Sequence, residues 1–294
     1  MKPSSIKNYD SNRIKNLWVT AAVITILKEK ETRKTGFKFL FTLVTKFFIP
    51  QHQRRLRMKK RNIVNVDHEL DKLIPFSSNY MQVYMGFSKL WIKSIYFLYK
   101  EFGKEALPYI DKFIKSIEQL YINGFDVSDS CQSTTTRPGS GRNIKLRLLH
   151  WVDPHLHCVP SLHVMVVSFN HLRIGSIINE LSDNPGEYKK ELDYLWKQAV
   201  LITNSILYMK QHSINCIPAG LFALSAECPE FNDTYAVKLI EELKNMNKDS
   251  IERFEEISSY IFNLYTDFQK LPESLSSREI LINFLLKYEE IPHL

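Results

Sequence analysis

Apolar residues in this chain recur at intervals of three and four, and no stretch keeps a convincing interval of two. LWIKSIYFLYKEF at 90–102 and IERFEEISSYIFNLYTDF at 251–268 show the pattern plainly. That spacing lays an apolar stripe along one side of an α-helix. Glycine is scarce, nine in 294 residues, which favours helices over a β-rich or Rossmann-type fold. The periodicity predicts helices near 11–30, 37–48, 67–74, 79–103, 105–123, 161–182, 187–212, 214–227, 233–246, 249–269 and 276–288. Breakers stand at their joints: Pro50, Gly124, Pro138-Gly139, Pro160, Pro185-Gly186, Pro229 and Pro272. The expected fold class is therefore all-α, a single helical bundle domain. One long irregular stretch, 124–159, interrupts it with SDSCQSTTTRPGSGRN.

The helices are not of the membrane-crossing kind. A spanning helix needs about 20 apolar residues. The runs Leu17–Leu27 and Ala199–Met209 reach 11 each, and Lys89, Lys93, His171 and Arg173 break the others. Four cysteines, Cys131, Cys158, Cys216 and Cys228, form no C-x-x-C pair, which fits a reducing compartment and a cytoplasmic protein. The nucleotide-binding patterns G-x-G-x-x-G and G-x-x-x-x-G-K-[ST] are missing.

Charge is unevenly placed. Residues 1–61 hold 16 Lys and Arg against 3 Asp and Glu, while the other 233 residues hold 23 against 29. This divides the chain into a basic N-terminal helical segment, 1–61, and a helical domain, 62–294. Within the first, FKFLFTLVTKFFIPQHQRRLRMKKR at 37–61 couples an aromatic helix to a basic run. Such a segment suits an anionic membrane surface, which would make the protein peripheral to a membrane. The plainer reading is a core helix followed by a solvated basic turn. Nucleic acid is the weakest reading, because no nucleic-acid motif accompanies the charge.

Two histidine stretches carry the chemistry. In HCVPSLHVMVV at 157–167, Pro160 suits the first turn of a helix, with Ser161 and His163 in the same turn. Helix N-termini present unpaired N–H groups that receive phosphate. In SILYMKQHSINCIPAG at 205–220, a helix would bring Ser205, Met209, His212 and Cys216 near one face, with Lys210 beside them as a cation. Each stretch alone also reads as a packed helix with an ordinary core histidine. A metal site on His155 and His157 is an alternative without a standard zinc spacing. Cys158 or Cys216 as a nucleophile lacks a local protease signature.

Taken in order, Arg137-Pro138, Pro-Ser-Leu-His at 160–163 and Lys-Gln-His at 210–212 resemble the type 2 phosphatidic acid phosphatase and vanadium haloperoxidase superfamily. The Ile-Pro-Ala-Gly that follows resembles the family's continuation of the third motif. The resemblance covers about 137–220, under a third of the chain. It implies a helical bundle, a phosphoric monoester hydrolase or phosphotransferase, a phosphorylated small molecule or lipid as substrate, and no metal or cofactor. It assigns His212 as the nucleophile that becomes phosphohistidine and His163 as the acid that protonates the leaving alcohol. Arg137, Ser161 and Lys210 would hold the phosphate oxygens. Three positions depart from the pattern: Ser130 and Ile206 stand where cations are expected, and Cys216 where an aspartate would orient the nucleophile. Asp153 and Asn215 are the other candidates for that orienting role. The departures support a second expectation: a phosphatase-like scaffold without catalysis, binding an anionic lipid or a protein.

Overall fold

The computed structural model describes residues 12–55, 62–141, 143–272 and 274–291, and the basic run at 56–61 lies outside them. The chain is a mostly helical single domain, about 71 % helix. Among the described residues no helix is long and apolar enough to cross a membrane.

The helices follow in order. α1 (Val19–Lys28) precedes α2 (Lys30–Thr42), which runs through a π-helical stretch, Leu43–Phe48, into α3 (Ile49–Arg55). Next come α4 (Met81–Tyr84), α5 (Phe87–Phe102), α6 (Leu107–Ser130) and α7 (Ile144–Val152). α8 (Leu162–Leu181) and α9 (Lys189–Tyr208) lead to α10 (Cys216–Ser225), α11 (Asp233–Asn247), α12 (Phe254–Gln269) and α13 (Ser277–Leu285).

α8 is the central rod, packed by α5, α6, α9 and α10. Its first half, Leu162 to Asn170, is buried on every side. Leu162, Val164, Met165, Val166, Val167 and Phe169 make it apolar all round, which fits a helix enclosed by others. Each such side chain taken from water stabilises the fold by about 1.5–3 kcal/mol. The basic N-terminal helices belong to the same core. Phe39 of α2 sets its ring edge-on to Trp91 and Tyr121, at 5.7 and 5.6 Å. Thr42 and Lys38 bond the buried Glu118 carboxylate of α6 at 2.6 and 3.2 Å.

Four features differ from the periodicity. α6 continues through Gly124, where glycine lets α8 approach: a Cβ there would sit 3.1 Å from the Leu162 side chain. α7 lies inside the stretch expected to be irregular, its N-terminus capped by Asn143 Oδ1 accepting from Leu146 N at 3.1 Å. α9 stops at Tyr208, so Lys210, Gln211 and His212 sit in a turn and not on a helix. Lys210 takes a left-handed φ of +53° there. A short parallel pair, β1 (Ile63–Asn65) with β2 (Gln132–Thr134), adds what three-residue strands cannot announce by alternation. A bridge from Ser133 to His157 extends the pairing, setting Thr135–Arg137 beside the approach to α8.

Candidate active site

The start of α8 is built by close packing. Ser161 is the N-cap, its hydroxyl accepting from Val164 N at 3.5 Å. Pro160 therefore precedes the helix rather than occupying its first turn. Gly220 of α10 lies against this point: a Cβ would stand 3.0 Å from the Ser161 carbonyl oxygen and 3.1 Å from Val164. Ser161 is fully buried, so its hydroxyl serves the helix and does not face an open hollow. His163, two residues on, is held between Tyr84 and Phe87, with ring centroids at 4.3 and 4.1 Å. Its Nε2 is buried and has no hydrogen-bond partner in the protein. Burial, and then the nearby His212, holds its pKa well below the usual histidine range.

His212 arrives from the turn after α9. Lys210 N and Gln211 N bond back to Leu207 O and Ile206 O at 3.0 and 3.1 Å, closing that turn. Asp71 pins its far side, accepting from Ser213 Oγ at 2.5 Å and Ile214 N at 2.9 Å. The His212 ring then lies edge-on to His163, with centroids 5.5 Å apart and planes at 69°. Its Nδ1 is 3.0 Å from the Cys158 carbonyl oxygen. A carbonyl oxygen only accepts, so Nδ1 carries the proton and Nε2 keeps the lone pair. Burial pushes the His212 pKa down to about 4, against the opposing pull of the Cys158 bond. At neutral pH the ring is an uncharged imidazole.

Two hollows meet at His212. One is a cavity of about 340 Å³ with walls that are mostly apolar, Phe47, Tyr121, Leu149 and Leu162 among them. His163, His212 and Asp153 supply polar groups to it. The other is a cleft of about 390 Å³ of mixed charge, lined by Arg137, Lys210 and Lys72 and also by Asp67, Glu69 and Asp71. His212 belongs to both walls. Arg137 is braced by the Asp153 carbonyl at 3.1 Å and by Gln211 Oε1 at 3.5 Å. Lys210 Nζ donates to the Asp71 carbonyl oxygen, and burial lowers its pKa. The structure thus brings His163 and His212 to one cavity, and Arg137 and Lys210 to a cleft that shares His212.

Among the described residues, the His212 ring bonds the Cys158 carbonyl and none of the expected orienting side chains. Asp153 lines the cavity, yet its Oδ1 accepts from His155 N at 2.9 Å, and burial pushes its carboxyl pKa up. Asn215 bonds Val66 O at 2.9 Å and the hydroxyls of Tyr288 and Tyr260 at 3.0 and 2.6 Å. Cys216 is fully buried, and burial raises its thiol pKa well above the ordinary value. The group that holds His212 is the Cys158 main chain, which no side-chain motif signals. Tyr84 and Phe87, the ring neighbours of His163, also escaped the sequence reading, because aromatics at helical spacing read as core. Ser130 sits exposed at the end of α6 and bonds Asp126 O, while Ile206 is wholly in the core. Neither replaces the cation expected there.

The remaining histidines of 150–163 are packed into the same region. His155, with a left-handed φ of 64°, places Nε2 at 2.7 Å from Thr135 Oγ1 and 3.5 Å from Cys158 Sγ. His157 lies between Phe47 and Phe125, at 5.5 and 5.7 Å. Among the described residues, no three His, Cys, Asp or Glu side chains gather closely enough to hold a metal ion. No protein-family model, curated protein or solved structure matches the chain.

Proposed function

We propose that the chain is a phosphatase or phosphotransferase acting on a phosphate monoester of an apolar alcohol, through a phosphohistidine on His212. One observation carries this reading. His212, its lone pair assigned to Nε2 by the Cys158 carbonyl, stands in the partition between an apolar cavity and a cleft bearing Arg137 and Lys210. The ester's apolar part fits the first and its phosphate the second.

In this mechanism Nε2 attacks phosphorus, and the bond from phosphorus to the alcohol oxygen breaks. Arg137 and Lys210 offset the charge on the phosphoryl oxygens, the main protein contribution in phosphoryl transfer. His163 gives a proton to the departing oxygen. Alone it is uncharged at neutral pH, but a phosphate dianion beside it favours its protonated form. Its unpartnered Nε2 is a standing cost of about 1–3 kcal/mol that a ligand oxygen near the two rings relieves. Water then attacks the phosphohistidine, and His163 takes up its proton. In a phosphotransferase a second alcohol replaces that water.

The test is phosphate release by purified protein, without added metal, from a small chromogenic ester and from phosphatidic acid in mixed micelles. His212→Ala runs beside it. Release that vanishes in the variant supports the reading, and full release by His212→Ala sinks the mechanism. A second reading is a scaffold that binds phosphate without turnover. It is favoured by Lys210 being engaged with Asp71 and by the uncharged Ser130 and Ile206. Saturable phosphate binding with no release from either substrate would establish it.

A further inference from the structure

The rim of the apolar cavity is unusual for a protein surface facing water. Phe48 of the π-helical stretch, Met85 after α4 and Val152 at the end of α7 all line the cavity, and all three are exposed. From that rim two apolar faces spread outward. On α7, Ile144, Leu148 and Trp151 are 76 %, 60 % and 62 % exposed, although a nine-residue helix already buries Leu146 and Leu149. At about 100° per residue these exposed groups and Val152 form one stripe, with Lys145 and Arg147 flanking it on either side. On α2 and its continuation, Phe37, Leu40, Phe41 and Val44 are exposed, while Phe39 and Thr42 point inward. His52 and Trp151 join the two faces, with ring centroids 6.2 Å apart. Large apolar surface of this kind, continuous with a cavity, marks a binding surface.

The charges identify what covers it. Residues 30–55 carry seven Lys and Arg against one acid, and 137–152 carry four against none. The remainder of the chain beyond residue 61 is net acidic. An apolar stripe edged by cations is the arrangement of a helix lying in the headgroup layer of an anionic bilayer.

We infer that α2–α3 and α7 together form a bilayer-docking face, which seats the mouth of the histidine cavity on an anionic lipid surface. The protein lies on that surface without spanning it. Apolar side chains of Phe41, Leu148 and Trp151 enter the acyl boundary, and lysines and arginines beside them meet lipid phosphates. The inference deepens the proposed phosphatase by giving its apolar substrates a route of entry, yet docking itself needs no turnover.

The experiment is sedimentation of the full chain with vesicles of phosphatidylcholine alone and of equal parts phosphatidylcholine and phosphatidylglycerol. Wild type, Phe41→Glu, Trp151→Glu, the double variant and Phe262→Glu are compared. Phe262 is exposed on α12, outside the proposed face. All three substituted residues are exposed, and circular dichroism checks each fold. The expected result is binding to the anionic vesicles only, weakened about tenfold by each face substitution, unchanged by Phe262→Glu, and reduced by salt. Wild type that fails to bind, or binding that the double variant retains, overturns the inference. So does a dimer in solution that the double variant dissolves without vesicle binding by wild type, which would make the face a self-interface. Docking without phosphate release refutes the phosphatase alone. Release from the small ester without docking refutes the docking face alone.

Discussion

His212 and Cys158 are joined through a side chain on one and the main chain on the other: Nδ1 to carbonyl oxygen, 3.0 Å. The Cys158 thiol takes no part in that bond. Cys158→Ser is therefore expected to keep phosphate release within about threefold of wild type. Removing an orienting acid from a comparable triad costs about 10⁴-fold. Introducing at 216 the carboxylate that the resemblance implies should fail to help. Cys216 is fully buried with its thiol already disfavoured as an anion. Cys216→Asp is expected to cost several kcal/mol, on the order of 3–5, with no gain in rate. Chemical denaturation and initial rates check both, and a faster Cys216→Asp enzyme would refute the assignment.

The two histidines should separate by leaving group. His212→Ala is expected to abolish release from every ester. His163→Ala should slow an alkyl phosphate by about 10²–10⁴-fold, the usual worth of a positioned acid. With nitrophenolate as the leaving group, which departs without a proton, the loss should be far smaller. Equal losses on both esters would remove His163 from the acid's role.

Acid should destabilise the fold through its buried histidines. Burial holds His171 and His212 at about 4, and His155 and His163 well below the ordinary 6.5. Each folded-state pKa lies under its unfolded value, so between them the unfolded chain binds more protons. Stability is then full above about pH 6.5 and falls as pH falls toward 4. His171 and His212 each account for about 2 kcal/mol by about pH 5. Asp71 and Asp153 are shifted upward by burial and act in the opposite sense nearer their own titration. Denaturant midpoints from pH 7 to 5 test this, and a flat profile contradicts it.

Two glycines should answer differently to the same methyl group. At Gly220 an added Cβ meets the Ser161 main-chain carbonyl at 3.0 Å. Gly220→Ala is expected to cost about 1–3 kcal/mol and to lower activity by moving the start of α8. At Gly175, also on a helix, the nearest neighbour is a Leu192 methyl at an ordinary 3.6 Å. Gly175→Ala should be neutral or stabilising by up to about 1 kcal/mol. Thermal unfolding of the pair distinguishes a motif-specific constraint from general helix propensity.

The long helices were legible because their stripes are long: α8 and α11 fall within a residue or two of the expected spans and α12 starts five residues late, while the span expected at 79–103 divides into α4 and α5. α7 was hidden by the Ser, Thr and Gly around it, and by apolar residues on both its faces, which blur a stripe. The turn carrying Lys210 and His212 was read as helix because its apolar residues keep helical spacing, while the left-handed backbone at Lys210 leaves no mark on a residue that is usually helical. Of the site, the order of the motifs located His163, His212, Arg137 and Lys210. The partner of His212 was sought among acidic and polar side chains, of which Asp153 and Asn215 serve other bonds and Cys216 is buried in the core.

A support made of peptide carbonyl has no codon of its own. Substitution at position 158 changes what hangs from the main chain and leaves the oxygen in place, so long as the chain keeps its path into α8. Positions 158 and 216 are thereby released from the identity that a side-chain anchor would impose. The orientation of the His212 ring depends instead on the residues that hold that path, among them Ser133, whose hydroxyl accepts from Val159 N at 2.8 Å, and Gly220, which admits the neighbouring helix. Changes at 158 and 216 should therefore leave the His212 ring where it is, and changes at Ser133 or Gly220 should move it.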